Sequence, residues 1–143
     1  MTTGKCPNEG ETLIANLIFK NADVNRGTNL ELLLFTDVDA TDTLTYGSLT
    51  EPATGGYARK PLTDASWTVT ADTGTSTVGC IASYADQIFT PSGASWSIYG
   101  AAIVTTGTAP KILAFVIDTT VPVALEDGAP YVVRLSIPVG RLL

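Results

Sequence analysis

A chain of 143 residues is long enough for one domain with a real core, since a fold of this size buries roughly 68% of the surface its unfolded chain exposes. Its 14 acidic and 8 basic side chains leave a formal charge of −6, and without a dense run of Lys or Arg to neutralise phosphates, nucleic acid is excluded as an expected partner. Charged residues make up only 15%, below the usual level of about 25%, which implies a surface buried against partners or solvated by the many Thr and Ser hydroxyls.

The N-terminus "MTTGKCPNEGETL" lacks the basic and then apolar blocks of a secretory leader, so folding in the cytoplasm is expected. Reducing conditions would then leave Cys6 and Cys80 as two free thiols rather than a pair joined in space. Leu13, Ile14, Leu17 and Ile18 recur on one helical face. Glu11 and Thr12 fall at its start, where an acidic group complements exposed N–H ends. A short amphipathic helix over 10–20 follows, and with the preceding arm it takes up about residues 1–22. "NADVNRGTNL" ends it with turn-forming residues.

From Leu30 the pattern becomes short β-rich runs between turn residues. "LELLLF" (30–35) is too apolar for alternation and is expected as a buried strand. Residues 36–56 form a long loop, expected with the first ten residues to be the loosest part of the chain; loops of this length usually either function or pack against something. Gly55 and Gly56 suit the positive φ of a tight turn, ahead of Tyr57 and the paired cations Arg59 and Lys60. Further strands are expected within 65–72, 76–90, 95–106, 110–125 and 131–139. Trp67 and Val69 share one face of the first of these, and Trp96 and Ile98 one face of the third. Many short strands with Gly, Pro and Asn between them predict an all-β chain, an antiparallel β-sandwich of jelly-roll type with one short N-terminal helix, as a single domain over 1–143. The longest apolar run, Ile112 to Ile117, is far shorter than the roughly 20 residues of a membrane-spanning helix, so no membrane is expected.

Residues suited to chemistry are sparse. Asp37, Asp39 and Asp42 are spaced carboxylates of the kind calcium takes as oxygen ligands, but the loop lacks the Gly and terminal Glu of a calcium loop, and Asp is a good turn residue in its own right. No metal or other cofactor is expected. The chain has no histidine, so the ordinary Ser-His-Asp and Cys-His sets are excluded. Asp118 with Glu126 or Asp127 is a conceivable carboxylate pair for glycoside hydrolysis, but these groups lie beside turn residues, and no enzyme is expected. Trp67, Trp96, Tyr57, Tyr84 and Tyr99 suit a sugar-stacking platform or a core, and the in-phase apolar neighbours of the tryptophans favour the core.

Several segments occur in an order that resembles a group of small virion structural proteins of tailed bacteriophages: "GETLIANLIFKN", "LELLLFTDVDATDTLT", "GYARK", the Trp67 strand, "FTPSGASWSIYGAAIV" and the closing "ILAFVIDTTVPVALEDGAPYVVRLSIPV". Together they cover nearly the whole chain. The resemblance implies a β-sandwich that binds other virion proteins. Its first expectation is a non-enzymatic capsid decoration (cement) protein, a homotrimer, located in the virion after assembly in the host cytoplasm, with the major capsid protein as partner. A tail, baseplate or fibre component, with host glycans as a candidate ligand, is the alternative. Arg59 and Lys60 are expected to point in opposite directions along an extended strand. With Asp37, Asp39 and Asp42 they are the expected partner interface, the cations either meeting a carboxylate of a neighbouring subunit or guarding a strand edge.

Overall fold

The computed structural model describes residues 7–10, 12, 14, 27–36, 43–70, 80–118 and 120–139. Its strands are β1 (Leu30–Phe35), β2 (Lys60–Leu62), β3 (Thr68–Thr70), β4 (Cys80–Phe89), β5 (Trp96–Ile98), β6 (Gly100–Val104), β7 (Ile112–Ile117), β8 (Val123–Leu125) and β9 (Tyr131–Val139). They pair antiparallel in sheets of order β2-β1-β6-β7, β3-β4-β9 and β5-β8. The chain is therefore all-β and antiparallel, as its short apolar runs between turn residues predict. Residues 8–10, 12 and 14 are helical, which puts the helix start ahead of the expected position 10. The remainder of the expected helix face, Leu13, Leu17 and Ile18, lies outside the described residues.

Two apolar clusters lie on opposite faces of the four-stranded sheet. On one side Leu30, Leu32 and Leu34 of β1 and Ala101 and Ile103 of β6 join Phe89, Trp96, Ile98, Leu125, Tyr131, Val133 and Leu135, so that all three sheets contribute to one core. On the other, Leu33, Phe35, Ala102, Val104, Ile112 and Phe115 pack with Leu44, and Tyr46 and Leu49 close over them. A strand buried on both faces has no need of alternation, and this explains why "LELLLF" lacks it. In β7, Ile112 and Phe115 face the same cluster although their spacing is odd. A register shift against Ile103 and Val104 supplies the extra residue, as a β-bulge does.

The segment expected to be loosest is in its described part a cover for the second cluster. Leu44 and Pro52 are buried, a 3₁₀ turn spans Tyr46–Ser48, and the Thr36 N–H donates to the Thr50 carbonyl at 2.9 Å. The described part of the amino-terminal arm is docked as well. Pro7 is fully buried, and Glu9 accepts the Ile112 N–H at 3.2 Å with the Lys111 ammonium 3.8 Å away.

The expected single strand within 95–106 is two strands in different sheets. β5 pairs with β8, and after Tyr99 the chain enters β6 between β1 and β7. Tyr99 makes the crossing with its backbone, its N–H donating to Phe35 and its carbonyl accepting from Asp118, both at 2.9 Å. Gly100 follows because the strands approach too closely for a side chain: a Cβ there would lie 2.1 Å from the Val116 carbonyl oxygen and 2.8 Å from the Phe35 ring.

Candidate functional site

The stretch from Gly55 to Lys60 is the most densely connected polar region among the described residues. Gly55 and Gly56 both hold positive φ, 71° and 67°. The turn delivers Tyr57 into the core, its ring stacked on Phe89 at 6.1 Å and edge-on to Trp96 at 5.7 Å. Gly55 is also required for space, since a Cβ would come within 2.6 Å of the Trp96 indole nitrogen. That nitrogen donates to the Thr54 carbonyl at 2.9 Å. The Tyr57 hydroxyl accepts the Leu34 N–H at 3.0 Å and donates to Glu51 at 2.8 Å. Burial is the main cause that pushes the Tyr57 hydroxyl far above its ordinary pKa, and the Glu51 carboxylate adds to it.

Arg59 lies two residues on, just ahead of β2. Its Nε lies 3.1 and 3.0 Å from the two Glu51 carboxylate oxygens, and Nη2 donates to Glu51 and, at 2.7 Å, to the Tyr46 hydroxyl. Nη1 donates to Glu31 at 3.1 Å. The guanidinium also lies 5.5 Å from the Tyr46 ring centroid. The Glu51 hydrogen bonds, assisted by Tyr46 and Glu31, raise its pKa beyond the ordinary arginine value against the opposing effect of burial. With side-chain exposures of 28% for Arg59, 25% for Glu51 and 32% for Glu31, the network is shielded enough to exceed an ordinary surface pair, which contributes about 0–1 kcal/mol. It fastens strand β1, the cover segment and the approach to β2 to one another.

Lys60 points the opposite way, as expected of an extended strand, with its ammonium 5.5 Å from the Phe89 ring centroid. It pairs with Leu32 at the sheet edge and has no carboxylate partner among the described residues. The carboxylates that meet Arg59 belong to its own chain. Asp37, Asp39 and Asp42, the rest of the expected interface, lie outside the described residues, as does Cys6; Cys80 carries a free thiol.

The carboxylates considered for hydrolysis serve separate loops. Asp118 accepts from the Tyr131 hydroxyl at 2.9 Å, and burial first, then Asp118, pushes that hydroxyl far above its ordinary pKa. Asp127 accepts the Gly93 N–H at 2.8 Å, and Glu126 accepts from the Ser95 hydroxyl at 3.4 Å. Trp96 is 5% exposed and belongs to the core. Trp67 packs at the core margin, edge-on to Tyr84 at 5.2 Å. Val69 is in phase with it but 69% exposed, and both of its neighbours in β3 are exposed as well.

The signals that could have found the Arg59 network in sequence are Glu31, Tyr46 and Glu51, three polar residues spread over 21 positions and joined by the fold alone. No family model, no curated protein and no solved structure matches this chain.

Proposed function

We propose that the chain is a non-enzymatic structural protein of a tailed-phage virion, most specifically a capsid decoration protein whose β-sandwich sits on the shell and binds the major capsid protein. The observation that carries the reading is the ordered series of segments resembling that group, because those segments are also the framework of this fold. "GYARK" supplies the Tyr57 anchor and the Arg59 network. "FTPSGASWSIYGAAIV" leaves β4 and forms β5 and β6, and the closing segment forms β7, β8 and β9.

Decoration of this kind acts by burying surface across junctions between shell subunits, which opposes the outward pressure of packaged DNA without making or breaking a bond. A chain with 15% charged residues suits such a role, since removing sparse charge from water costs little. Lys60, on a sheet edge and without a carboxylate partner among the described residues, is a cation that could meet a neighbouring subunit. Quantitative mass spectrometry of purified particles tests the proposal through the molar ratio of this chain to the major capsid protein. A ratio near one, or a simple large fraction of it, is expected. A few percent would move the protein to a tail, baseplate or fibre position, and absence from the particle would overturn the virion reading.

A further inference from the structure

Sheet edges are templates for pairing unless they are short, covered or interrupted. Most of the edge strands described here are short or interrupted. β2 has three residues with Pro61 among them, β3, β5 and β8 have three each, and β9 carries Arg134 and Pro138. β7, which ends the four-stranded sheet, differs: its six residues, Ile112–Ile117, hold no charge, no proline and no glycine. Runs of this length and composition are the ones most prone to pair between chains. Lys111 and Asp118 flank the run, as charges do beside an unavoidable apolar strand, but they lie outside it. Both faces of β7 are occupied, Leu113 and Val116 by one apolar cluster and Ile112, Phe115 and Ile117 by the other. Its outer edge is where protection is needed.

The direction of the backbone groups is fixed where β7 begins. The Lys111 carbonyl accepts the Thr105 N–H and the Lys111 N–H donates to the Thr105 hydroxyl, both at 2.9 Å, so position 111 turns both groups toward the β6 side. Successive residues of an extended chain turn theirs to opposite sides, and the Ile112 N–H is accordingly the first on the outer edge. An incoming strand would take that amide. Here Glu9 takes it, at 3.2 Å and from 103 residues away. The Glu9 side chain is only 13% exposed, and the segment is anchored on either side of it, by Pro7, which is fully buried, and by Gly10, which is buried.

We propose that residues 7–10 are a strap that closes the outer edge of β7 against pairing with other chains, and that Glu9 is its latch. The strap works by occupancy. Its carboxylate satisfies the first outward amide, and a strand that sought to pair there would have to expel a shielded carboxylate from its acceptor position. A hydrogen bond to an ionised acceptor is stronger than one to a neutral acceptor, which suits a single side chain to hold the arm. Lys111, with its side chain 48% exposed and its ammonium 3.8 Å from Glu9, adds little of its own, as exposed ion pairs do. The inference stands apart from the virion reading.

Hydrogen exchange and sedimentation of the full chain test the strap together. In the wild type the Ile112 amide should be protected. In Glu9→Ala it should exchange about tenfold or more faster while the amides of β1 and β9 keep their rates, and the variant should self-associate more than the wild type at about 100 µM, within the range of ordinary association assays. Glu9→Gln, which keeps a neutral acceptor for the same amide, should change less on both counts. The proposal is overturned by an Ile112 amide that exchanges freely in the wild type, by one that stays protected in Glu9→Ala, by a folded Glu9→Ala chain that associates no more than the wild type, or by equal effects of the two substitutions. Acceleration spread evenly over β1 and β9 would show that Glu9 supports global stability and no particular edge, and would count against the strap equally. Should Glu9→Ala not fold, Glu9→Gln takes its place against the wild type, with the same two readouts and the same expected directions.

Discussion

Tyr57 and Tyr131 both donate a partly buried hydroxyl to a carboxylate, and both keep the proton more tightly there than in the unfolded chain. The sign of the pH effect follows. Below the ordinary tyrosine pKa of about 10 the two groups are neutral in both states and their stabilisation is complete. Above it the unfolded chain releases these protons while the folded chain holds them, so stability falls as pH rises, by up to about 1.4 kcal/mol per pH unit for each group. Tyr84 shifts the other way, because the Thr63 N–H donates to its oxygen and favours the phenolate. A comparison of variants therefore isolates the effect. Tyr131→Phe, which loses the hydrogen bond to Asp118, should cost about 1 kcal/mol at pH 7 and should show a shallower loss of stability than the wild type above pH 10. Urea midpoints measured between pH 8 and 11 give both quantities, and equal slopes in the two proteins would show that Tyr131 does not hold its proton more tightly when folded.

At the scale of elements, the crossing at Tyr99 and Gly100 sets where the core can form, because it moves the chain from the β5–β8 pair into the middle of the four-stranded sheet. Gly100→Ala should destabilise the protein by about 1–3 kcal/mol, the usual cost of overpacking, since its Cβ would meet backbone at Val116 and cannot be relieved by a rotamer change. Val69→Thr on the exposed strand should stay within about 0.5 kcal/mol. Thermal melts of the two variants beside the wild type compare them directly. Much of this architecture was legible in the sequence: β1 and β9 fall on the predicted spans 30–35 and 131–139, because each is a compact apolar run bounded by turn residues. The break between β5 and β6 was not, since "WSIYGAAIV" is uninterrupted in propensity and the reason for Gly100 lies on β1 and β7. The polar cluster was half legible. The pair Arg59–Lys60 stands out by rarity, and its opposed directions follow from strand geometry, but the choice of Glu31 and Glu51 as partners is a property of tertiary contact. The cover segment was legible only as a loop that would either function or pack, and in its described part it packs. Its Thr and Asp content describes a loop, while two buried positions, Leu44 and Pro52, decide that it packs.

For the molecule as a whole, closure depends on contacts distant in sequence. β1 pairs with β6, some seventy positions on, β4 with β9, some fifty on, and Glu9 reaches Ile112 across 103 residues. Chain entropy must be spent before such contacts form, so folding belongs in the millisecond-to-second range of non-local β proteins. The same topology makes the end of the chain indispensable. Tyr131, Val133 and Leu135 lie in the central cluster with residues of β1 and β6, and β9 is the pairing partner along most of β4. Removing 131–143 would open the core to which all three sheets contribute and leave β4 with the three residues of β3 as its neighbour. Loss of three buried side chains, each worth about 2–5 kcal/mol as a truncation to alanine, is comparable with the 5–15 kcal/mol that holds a typical domain folded. The truncated chain should therefore show no cooperative thermal transition. A sharp calorimetric peak from a chain ending at Pro130 would mean that the other two sheets form a core by themselves.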